Sequence, residues 1–390
     1  MLGKNLINLI KRIADKYDTR IYLVGGPLRD KLLGKKIQDL DIVVEKNVKK
    51  IGSDLAACFE AKFQFYRDFN TGTISLNNLH IDLAQTRKEA YPRPAALPRV
   101  FPSNLVSDLY RRDFTINAMA QDLAENRLID PYQGLTDLKK GIIRILHPRS
   151  FIDDPTRIFR AIRFAERFGF KLEPNTLKWL RAAIKQKLPS LLSGERILNE
   201  LRLIIKEDKN KPMIERLNHE GLFHSLFEKK LAKAFFIQFA KLAKLNEPNL
   251  MLVFLLAQFS LPENFPLTKE QLCAINDWKR FSKVKRKLTR AKQPSDVYKL
   301  LRGYSDDALR IAERLVNPSI AGKIKKYLEK YKNVRLELGG KDIKKLGIRP
   351  GKIYSRLLNN LLFARIDGKV KNRADELKLL KIMTNRLKSE

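Results

Sequence analysis

The stretch from residue 21 to residue 45 constrains the fold of this chain most strongly. It consists of an apolar run, Ile21–Val24, a Gly-Gly turn, a short basic segment and a second apolar run from Leu40 to Val44. Short apolar runs rich in β-branched residues predict two buried strands. Two glycines directly after a strand let the backbone turn sharply and approach a ligand closely. The pattern therefore predicts a mixed α/β unit with a ligand site beside the turn.

The segment after the glycine pair is suited to bind a phosphate group. Pro27 fits the first position of a short helix that ends near Gly34, so the free N–H groups of that helix can face an anion. Arg29 adds a charge-assisted contact to a phosphate oxygen. We therefore expect Gly25, Gly26 and Arg29 to bind the phosphates of a nucleotide.

Two aspartates open the second apolar run. Asp39 and Asp41 lie two residues apart, so a strand places both carboxylates on one face while Leu40 and Ile42 face the core. Adjacent carboxylates repel each other unless a cation lies between them. Hard oxygen ligands beside a phosphate site indicate Mg²⁺ that arrives with a nucleoside triphosphate. Either signal alone is typical of a turn or a solvated strand end, but the two in this order favour a catalytic site.

A third carboxylate, Asp82, alternates with apolar neighbours on a predicted strand at residues 79–83. We interpret it as a candidate catalytic group that deprotonates the attacking hydroxyl or orients the metal. The alternative is a charge at a strand edge.

The charge balance of the chain indicates a polyanionic partner. Lysine and arginine number 78 against 43 aspartates and glutamates, which gives a formal net charge of +35. The charge-rich surfaces of thermophilic proteins usually raise both signs, whereas here one sign dominates. We expect nucleic acid rather than an anionic membrane, because no lipidation motif or amphipathic anchor stands out.

Further features predict a cytoplasmic protein with no membrane segment. The N-terminus is polar and helix-like rather than a signal peptide, and the longest apolar stretch, residues 250–261, is too short to span a bilayer. Cys58 and Cys273 are far apart in the sequence, which favours a reducing compartment over a disulfide framework or a zinc site.

Strand and helix patterns alternate in the first part of the chain, and the rest is helical. Helices predicted at Leu2–Tyr17 and Lys49–Ala61 interleave with short apolar runs. The runs predicted as strands are Ile21–Val24, Leu40–Val44, Phe63–Phe65, Gly72–Leu76, Leu79–Ala84, Ala118–Leu123 and Ile142–Leu146. After about residue 148 strand signals nearly vanish. We therefore predict an α+β fold in which a mixed sheet with helices is followed by an all-α region.

Residues 86–107 carry four prolines between two ordered stretches. The composition predicts a long loop, and a long loop inside a compact domain is usually functional or disordered. The alternative is a loop that has no function of its own.

Two more clusters carry groups suited to a nucleotide. Residues 110–118 include Arg112, Asp113 and Asn117, which can bind a sugar and a triphosphate or equally form a local salt bridge. Asp154 and the proline after it predict a helix start. Within that helix three arginines recur every three residues, and together they attract an anion unless they line a solvated face. They are Arg157, Arg160 and Arg163. A second polar helix is predicted to brace the first with Glu195, Arg196 and Glu200.

With these residues assembled, the chain resembles the class II tRNA nucleotidyltransferase and bacterial poly(A) polymerase family of the DNA polymerase beta superfamily. Four motifs carry the resemblance in a fixed order. They are residues 25–41 for motif A, 111–118 for motif B, 153–157 for motif D and 195–200 for motif E. The resemblance implies a nucleotidyltransferase palm at 1–147, a helical neck at 148–220, a helical body at 221–335 and a basic helical tail at 336–390 that binds tRNA.

The resemblance also implies a role for each motif. The assignments are Asp39 and Asp41 for Mg²⁺, Gly26 and Arg29 for the triphosphate, Arg112 and Asp113 for ribose and phosphates, Asp154 and Arg157 for the base, and Arg160 and Arg163 for the rest of the nucleotide pocket. The base-reading pair has an independent rationale. Cytosine and adenine both present an amino donor beside a ring-nitrogen acceptor, so an aspartate that accepts and an arginine that donates select C and A over U and G.

The implied activity is template-independent addition of C and A to the 3′ end of tRNA from CTP and ATP. One residue departs from the pattern, because Asp153 stands where CCA-adding members usually have glutamate. Enzymes specialised for CC or for A therefore remain alternatives. A poly(A) polymerase is a further alternative, and a non-catalytic RNA-binding protein is a remote one that the retained aspartates and arginines argue against. The oligomeric state stays open.

Overall fold

The computed structural model of the chain describes residues 4–37, 39–76 and 79–389. The chain forms two compact units, one that runs to Lys230 and one that begins at Leu231. The predicted α+β class is confirmed, because the mixed sheet lies in the first unit and helices make up the second. None of the described helices is long and apolar enough to cross a membrane. The division into palm, neck, body and tail stays a prediction.

Short strands with buried apolar side chains form the sheets of the first unit. Their bounds are β1 Ile21–Val24, β2 Asp39–Val44, β3 Lys62–Tyr66, β4 Thr71–Leu76, β5 Leu79–Gln85, β6 Arg87–Ala90, β7 Arg99–Pro102, β8 Ala120–Asp122, β9 Leu128–Ile129, β10 Ile142–Ile143 and β11 Lys171–Leu172. Most of the predicted strands lie within a residue or two of these bounds. The strand predicted at Ile142–Leu146 is shorter than expected, and it pairs with β11 outside the main sheet.

The main sheet has the strand order β3-β4-β5-β2-β1-β8-β9. Its only parallel pair among the described strands is β2 with β5, which places Asp41 directly beside Asp82. The remaining neighbours are antiparallel. This register brings two of the predicted carboxylates together at the centre of the sheet.

Helices of the first unit cover the sheet and extend beyond it. Their bounds are α1 Lys4–Lys16, α2 Gly25–Leu32, α3 Val48–Cys58, α4 Leu105–Tyr110, α5 Gly134–Lys140, α6 Ser150–Asp153, α7 Thr156–Phe168, α8 Pro174–Lys185, α9 Gly194–Ile205, α10 Asn210–His219 and α11 Leu222–Phe227. The predicted start of α1 at Leu2 lies outside the described residues. Leu105 and Leu109 of α4 pack on Tyr22 and Val43 of the sheet, so the end of α4 lies close to the carboxylates of β2.

The proline-rich stretch 86–107 contains more order than the sequence predicts. Strands β6 and β7 pair as an antiparallel hairpin, and α4 begins at Leu105. The turn of the hairpin is held by a hydrogen bond from the Ala95 N–H to the Ile152 carbonyl, 3.3 Å. The prediction of a long loop is therefore wrong for half of this stretch. The prolines lie in the turn or at the ends of the strands, where they do not interrupt the ladder.

The second unit is built from nine described helices. Their bounds are α12 Lys233–Ala243, α13 Pro248–Leu256, α14 Lys269–Arg290, α15 Pro294–Leu301, α16 Asp306–Leu315, α17 Pro318–Glu329, α18 Gly340–Lys345, α19 Lys352–Ile366 and α20 Arg373–Ser389. Helix α14 packs its apolar side into a core with α16 and α17. Five basic residues on its exposed side pair with no carboxylate in the described part of the chain. We call them the basic face of α14: Lys283, Lys285, Arg286, Lys287 and Arg290.

Candidate active site

Residues from the start of α2, from β2, from the hairpin, from the segment after α4 and from the region of α7 and α9 line one cavity in the first unit. Its volume is about 410 Å³. The predicted residues that line it are Gly25, Gly26, Asp41, Arg112, Asp113, Asn117, Asp154, Arg157, Arg160 and Arg196. The structure therefore gathers members of all four motifs around a space that can hold a small ligand.

The glycine turn lets the backbone pass directly against the carboxylate of β2. Gly25 has a φ of +69°, and a Cβ at this position would lie 3.0 Å from Asp41 Oδ2 and 3.1 Å from Arg112 Nη1. A positive φ and so little space together restrict the position to glycine. The predicted close approach of the backbone is present, and it is directed at Asp41.

The environment of Asp41 disfavours the ionised form of its carboxyl group. Burial, together with the neighbouring carboxylates of Asp82 and Asp39, raises the pKa of Asp41 to about 6 against the opposing charge of Arg112. Asp82 accepts a hydrogen bond from Thr73 Oγ1 at 2.7 Å, whereas Asp39 is exposed at the start of β2. A cation between these carboxylates would relieve both the desolvation and the repulsion.

The described residues contain no group of three or more His, Cys, Asp or Glu side chains arranged to hold a metal ion. β2 itself supplies two carboxylates, those of Asp39 and Asp41. Such an arrangement is typical of Mg²⁺ sites, in which one or two carboxylates bind the ion and substrate phosphates and water supply the other ligands. The donor set at Asp39 and Asp41 fits that class of cation.

Asp108, which the sequence analysis missed, anchors the two arginines on the opposite wall of the cavity. It is fully buried, and it accepts hydrogen bonds from Arg112 Nη2 at 2.8 Å and from Arg111 Nε at 3.0 Å. Burial alone would raise the pKa of Asp108, but the charges of Arg112 and Arg111 outweigh it and lower that pKa. The spacing of an aspartate three and four residues before two arginines was a usable helical signal.

Asp113 links motif B to helix α7. Its Oδ2 accepts from Arg160 Nε at 2.9 Å and Nη2 at 2.6 Å, and its Oδ1 accepts from Asn117 Nδ2 at 2.8 Å. Burial raises the pKa of Asp113, yet the charge of Arg160 and these hydrogen bonds prevail and lower it to about 2. Asp113 forms its ion pair with Arg160 of α7 rather than with a neighbouring arginine, and it also lines the cavity together with Arg112 and Asn117. Nucleotide binding by motif B therefore stays a prediction.

Arg29 lies behind the cavity and does not line it. It is 4% exposed, its Nη1 donates to Asn117 Oδ1 at 2.7 Å, and its guanidinium packs over the rings of Phe164 and Phe168. Through Asn117 it reaches Asp113. The structure thus places Arg29 where it supports motif B rather than where it would touch a phosphate directly.

Asp154 and Arg157 lie together on the cavity wall, held by neighbours on three segments. Arg196 Nη2 donates to Asp154 Oδ1 at 2.6 Å, and Arg196 Nη1 donates to the Ala95 carbonyl in the hairpin turn at 2.7 Å. Arg157 donates to Ser150 Oγ at 2.6 Å and to the Arg111 carbonyl at 2.7 Å. Among the described residues, the hydrogen bonds to the Asp154 carboxylate all end on Oδ1. Its Oδ2 can therefore accept a hydrogen bond from a ligand.

The remaining predicted residues lie outside the cavity lining. Arg163 is 6% exposed and pairs with Glu200 at 3.8 Å and with Glu207 at 3.6 Å, so it belongs to a buried charge cluster between α7 and α9. Burial raises the pKa of Glu200 against the opposing charges of Arg163 and Arg160. Glu195 is exposed at the start of α9.

The hairpin contributes cavity residues that the sequence analysis did not identify. Glu89 accepts from Arg111 Nη1 at 3.1 Å and from the Tyr91 hydroxyl at 2.9 Å, and Leu97 lies on the same cavity wall. The sequence Arg87 to Ala90 has no alternation of polar and apolar residues, and its exposure alternates only in the folded chain, so it offered no local strand signal.

Comparison with known proteins agrees with this architecture. Residues 21–144 match the family described as poly A polymerase head domain, and residues 169–234 match the family described as "Probable RNA and SrmB-binding site of polymerase A". The first match covers the glycine turn, both aspartates of β2 and motif B.

Three relatives illustrate the similarity. The A-adding tRNA nucleotidyltransferase of Aquifex aeolicus is 32% identical over 87% of this chain, which spans only 44% of the length of that relative. A solved CCA-adding enzyme in an apo form is 31% identical, with 97% of this chain and 95% of that chain covered and a TM-score of 0.84. The Thermotoga maritima CCA-adding enzyme complexed with tRNA is 30% identical at the same coverage, with a TM-score of 0.76.

Proposed function

This chain belongs to the class II tRNA nucleotidyltransferase family, and on that basis we propose that it adds C and A to the 3′ end of tRNA from CTP and ATP. The observation that carries the proposal is the single cavity that joins the glycine turn and Asp41 to Asp154 and Arg157. A phosphate site, a metal-binding carboxylate and a base-reading pair are the parts that untemplated nucleotide addition requires.

In the proposed reaction the terminal 3′-hydroxyl of the RNA attacks the α-phosphate of the nucleotide. A new O–P bond forms, the bond between the α-phosphorus and the bridging oxygen breaks, and pyrophosphate leaves with the electron pair. We infer that Asp39 and Asp41 hold Mg²⁺, which when bound would favour loss of the hydroxyl proton and neutralise charge on the phosphates, and that Asp82, beside Asp41 in the sheet, accepts this proton. Arg111 and Arg112, held in place by Asp108, supply fixed positive charge beside the same carboxylates.

Base choice is assigned to Asp154 and Arg157. An acceptor oxygen on Asp154 fits the amino group of cytosine or adenine, and the Arg157 guanidinium fits the adjacent ring nitrogen. Arg196 keeps the carboxylate in position from behind. Uracil and guanine would place a carbonyl against the carboxylate, so the pair rejects them without a nucleic-acid template.

The partner surface for tRNA is proposed to include the second unit, with the basic face of α14 as a candidate contact to the phosphate backbone. The Thermotoga maritima relative in complex with tRNA supports tRNA as the partner. We further propose that the protein acts in the cytoplasm, where its substrates and the reducing conditions suited to its two distant cysteines occur.

An enzyme that adds only the final A is the second candidate. The Aquifex aeolicus relative named for that activity favours it. Asp153, at the position where CCA-adding members usually have glutamate, is compatible with a specialised enzyme of either kind. Both candidates share the same nucleotidyl-transfer centre and differ in the range of tRNA ends that they extend.

Incubation of the purified protein with tRNAs that lack one, two or all three terminal nucleotides tests the proposal, with CTP and ATP supplied separately and together. Addition of CCA followed by arrest supports the main proposal. Extension only of tRNA that ends in CC, and only with ATP, establishes the A-adding candidate. An unlimited A tail on varied RNA ends indicates a poly(A) polymerase. Tight tRNA binding with no incorporation in Mg²⁺ would refute an enzymatic function.

A further inference from the structure

We propose that a groove leading away from the catalytic carboxylates ends in an aromatic cradle, formed by Phe69 and Phe101, that stacks on the unpaired base next to the 3′-terminal nucleotide of the RNA. The inference rests on the proposed function, because it assigns the path of the RNA end that the reaction extends. It names two residues that lie outside all four motifs.

The groove begins at the catalytic centre. A space of about 310 Å³ is bordered by Asp41 and Asp82 at one end, by Thr71 and Ala84 at the other, and by Arg112 along one wall. Because Asp41 and Arg112 also line the nucleotide cavity, the two spaces meet at the carboxylates. An RNA end whose hydroxyl lies at Asp41 has this groove as a continuation.

The next rung of the β4–β5 ladder leads to a second, smaller space. Thr71 pairs with Ala84, and beyond them the Gln85 N–H donates to the Asn70 carbonyl at 3.2 Å. Asn70 and Gln85 border a space of about 180 Å³. At the rise of a strand, Gln85 lies about 10 Å along β5 from Asp82, which is within reach of the nucleotides next to the 3′ terminus.

Two aromatic side chains from separate segments line this second space. Phe69 ends the turn before β4 and is 55% exposed, whereas Phe101 lies on β7 of the hairpin and is 45% exposed. Two exposed rings that line one space beside guanidinium groups can form a stacking platform for a base of single-stranded nucleic acid.

Guanidinium groups along the path can meet the phosphates of an RNA strand. Arg87 borders the aromatic space, and Arg111 and Arg112 border the groove, so three guanidinium groups lie between the cradle and the carboxylates. Glu89 and Asp108 are their ion-pair partners, and Asp68 also borders the aromatic space. Because a guanidinium in an ion pair keeps further N–H groups, these arginines can bind phosphate oxygens beside the flat faces on which bases stack.

Leucine substitutions test the cradle without emptying it, because leucine keeps an apolar side chain and removes the flat ring. We expect the Phe69→Leu, Phe101→Leu double variant to raise the KM for tRNA by about five- to hundredfold, the value of one lost base stack, with the KM for the nucleotide unchanged. Tyr66→Leu is the matched control, since Tyr66 is 44% exposed on β3 and does not line the space. It should behave as wild type.

A second measurement detects stacking of the RNA base in the absence of nucleotide addition. A tRNA with 2-aminopurine at the penultimate position loses fluorescence when that base stacks, so wild-type protein and the Tyr66→Leu control should quench it and the double variant should not. Unchanged tRNA KM together with unchanged quenching in a folded double variant would overturn the cradle. If the wild type incorporates no nucleotide at all, the proposed function fails, and the quenching measurement still decides whether a base occupies the cradle.

Discussion

The ion pair between Asp113 and Arg160 provides the strongest quantitative test of how the cavity is held together. It joins motif B to helix α7, and Asp113 is 7% exposed. Asp113→Asn keeps the size of the side chain and removes its charge. The substitution should therefore destabilise the first unit at neutral pH and much less in acid.

The magnitude follows from the pKa of Asp113, which the structure lowers from 3.8 to about 2. At 1.36 kcal/mol per pKa unit, the ionised carboxylate contributes about 2 kcal/mol to the free energy of unfolding at pH 7. Between these two pKa values the unfolded chain binds more protons than the folded one. The contribution is therefore complete above about pH 5 and lost as pH falls toward 2, and about half of it is gone at pH 3.

The assay is urea unfolding at pH 7, 5 and 3. Fluorescence of Trp179 reports on the first unit when Trp278, the other tryptophan, is replaced by phenylalanine in every variant. Arg160→Gln supplies the double-mutant cycle, because Arg160 makes the largest favourable contribution to the ionised Asp113. A cost of Asp113→Asn that is the same at all three pH values, or the same with and without Arg160, would refute the reasoning.

Three further predictions concern the turn, the base-reading pair and the tRNA surface. Gly25→Ala should abolish nucleotide incorporation and lower the unfolding free energy by about 1–3 kcal/mol, because alanine is strained at a φ of +69° and its Cβ would meet Asp41. Incorporation assays and urea unfolding measure the two effects, and a fully active variant would contradict the prediction. Arg196→Met should lower the preference for ATP and CTP over UTP about tenfold, since Asp154 loses a charged hydrogen-bond partner. Competition between labelled nucleotides measures the preference, and an unchanged value would refute the prediction. Glutamine at four positions of the basic face of α14 should weaken tRNA binding and reduce the number of counterions released on binding by up to about four. The slope of the logarithm of the binding constant against the logarithm of the salt concentration measures that number, and an unchanged slope would exclude this face.

The parts of the site that were predictable from the sequence are those encoded locally. The glycine turn and the pair Asp39 and Asp41 depend on backbone freedom and strand periodicity over a few residues. In the structure Gly25 has a positive φ, and the two aspartates alternate with buried residues on β2, while their binding roles stay predictions. The position of Asp82 beside Asp41 follows from a parallel strand pairing, which the sequence alone does not specify. The alternation of polar and apolar residues at 79–83 identified the strand. The contact between Asp82 and Asp41 depends on the register in which β5 pairs with β2.

The parts that were not predictable depend on partners distant in sequence. Arg29 looked like a phosphate ligand because it follows the glycine turn, but its partner Asn117 is 88 residues away and draws it behind the cavity. Arg163 was expected in the nucleotide pocket with Arg160. Each of the two has an acidic partner from another segment, and only Arg160 reaches the cavity.

Asp41→Ala gives the most direct test of the central claim, that the carboxylates of β2 catalyse nucleotide addition to an RNA end. Incorporation of labelled CTP and ATP into tRNA that lacks its terminal nucleotides should fall to background, while tRNA affinity measured by filter binding stays nearly unchanged. Asp208→Ala removes an exposed aspartate between α9 and α10 and should leave both quantities at wild-type levels. Incorporation by Asp41→Ala at a rate near that of the wild type would contradict the account.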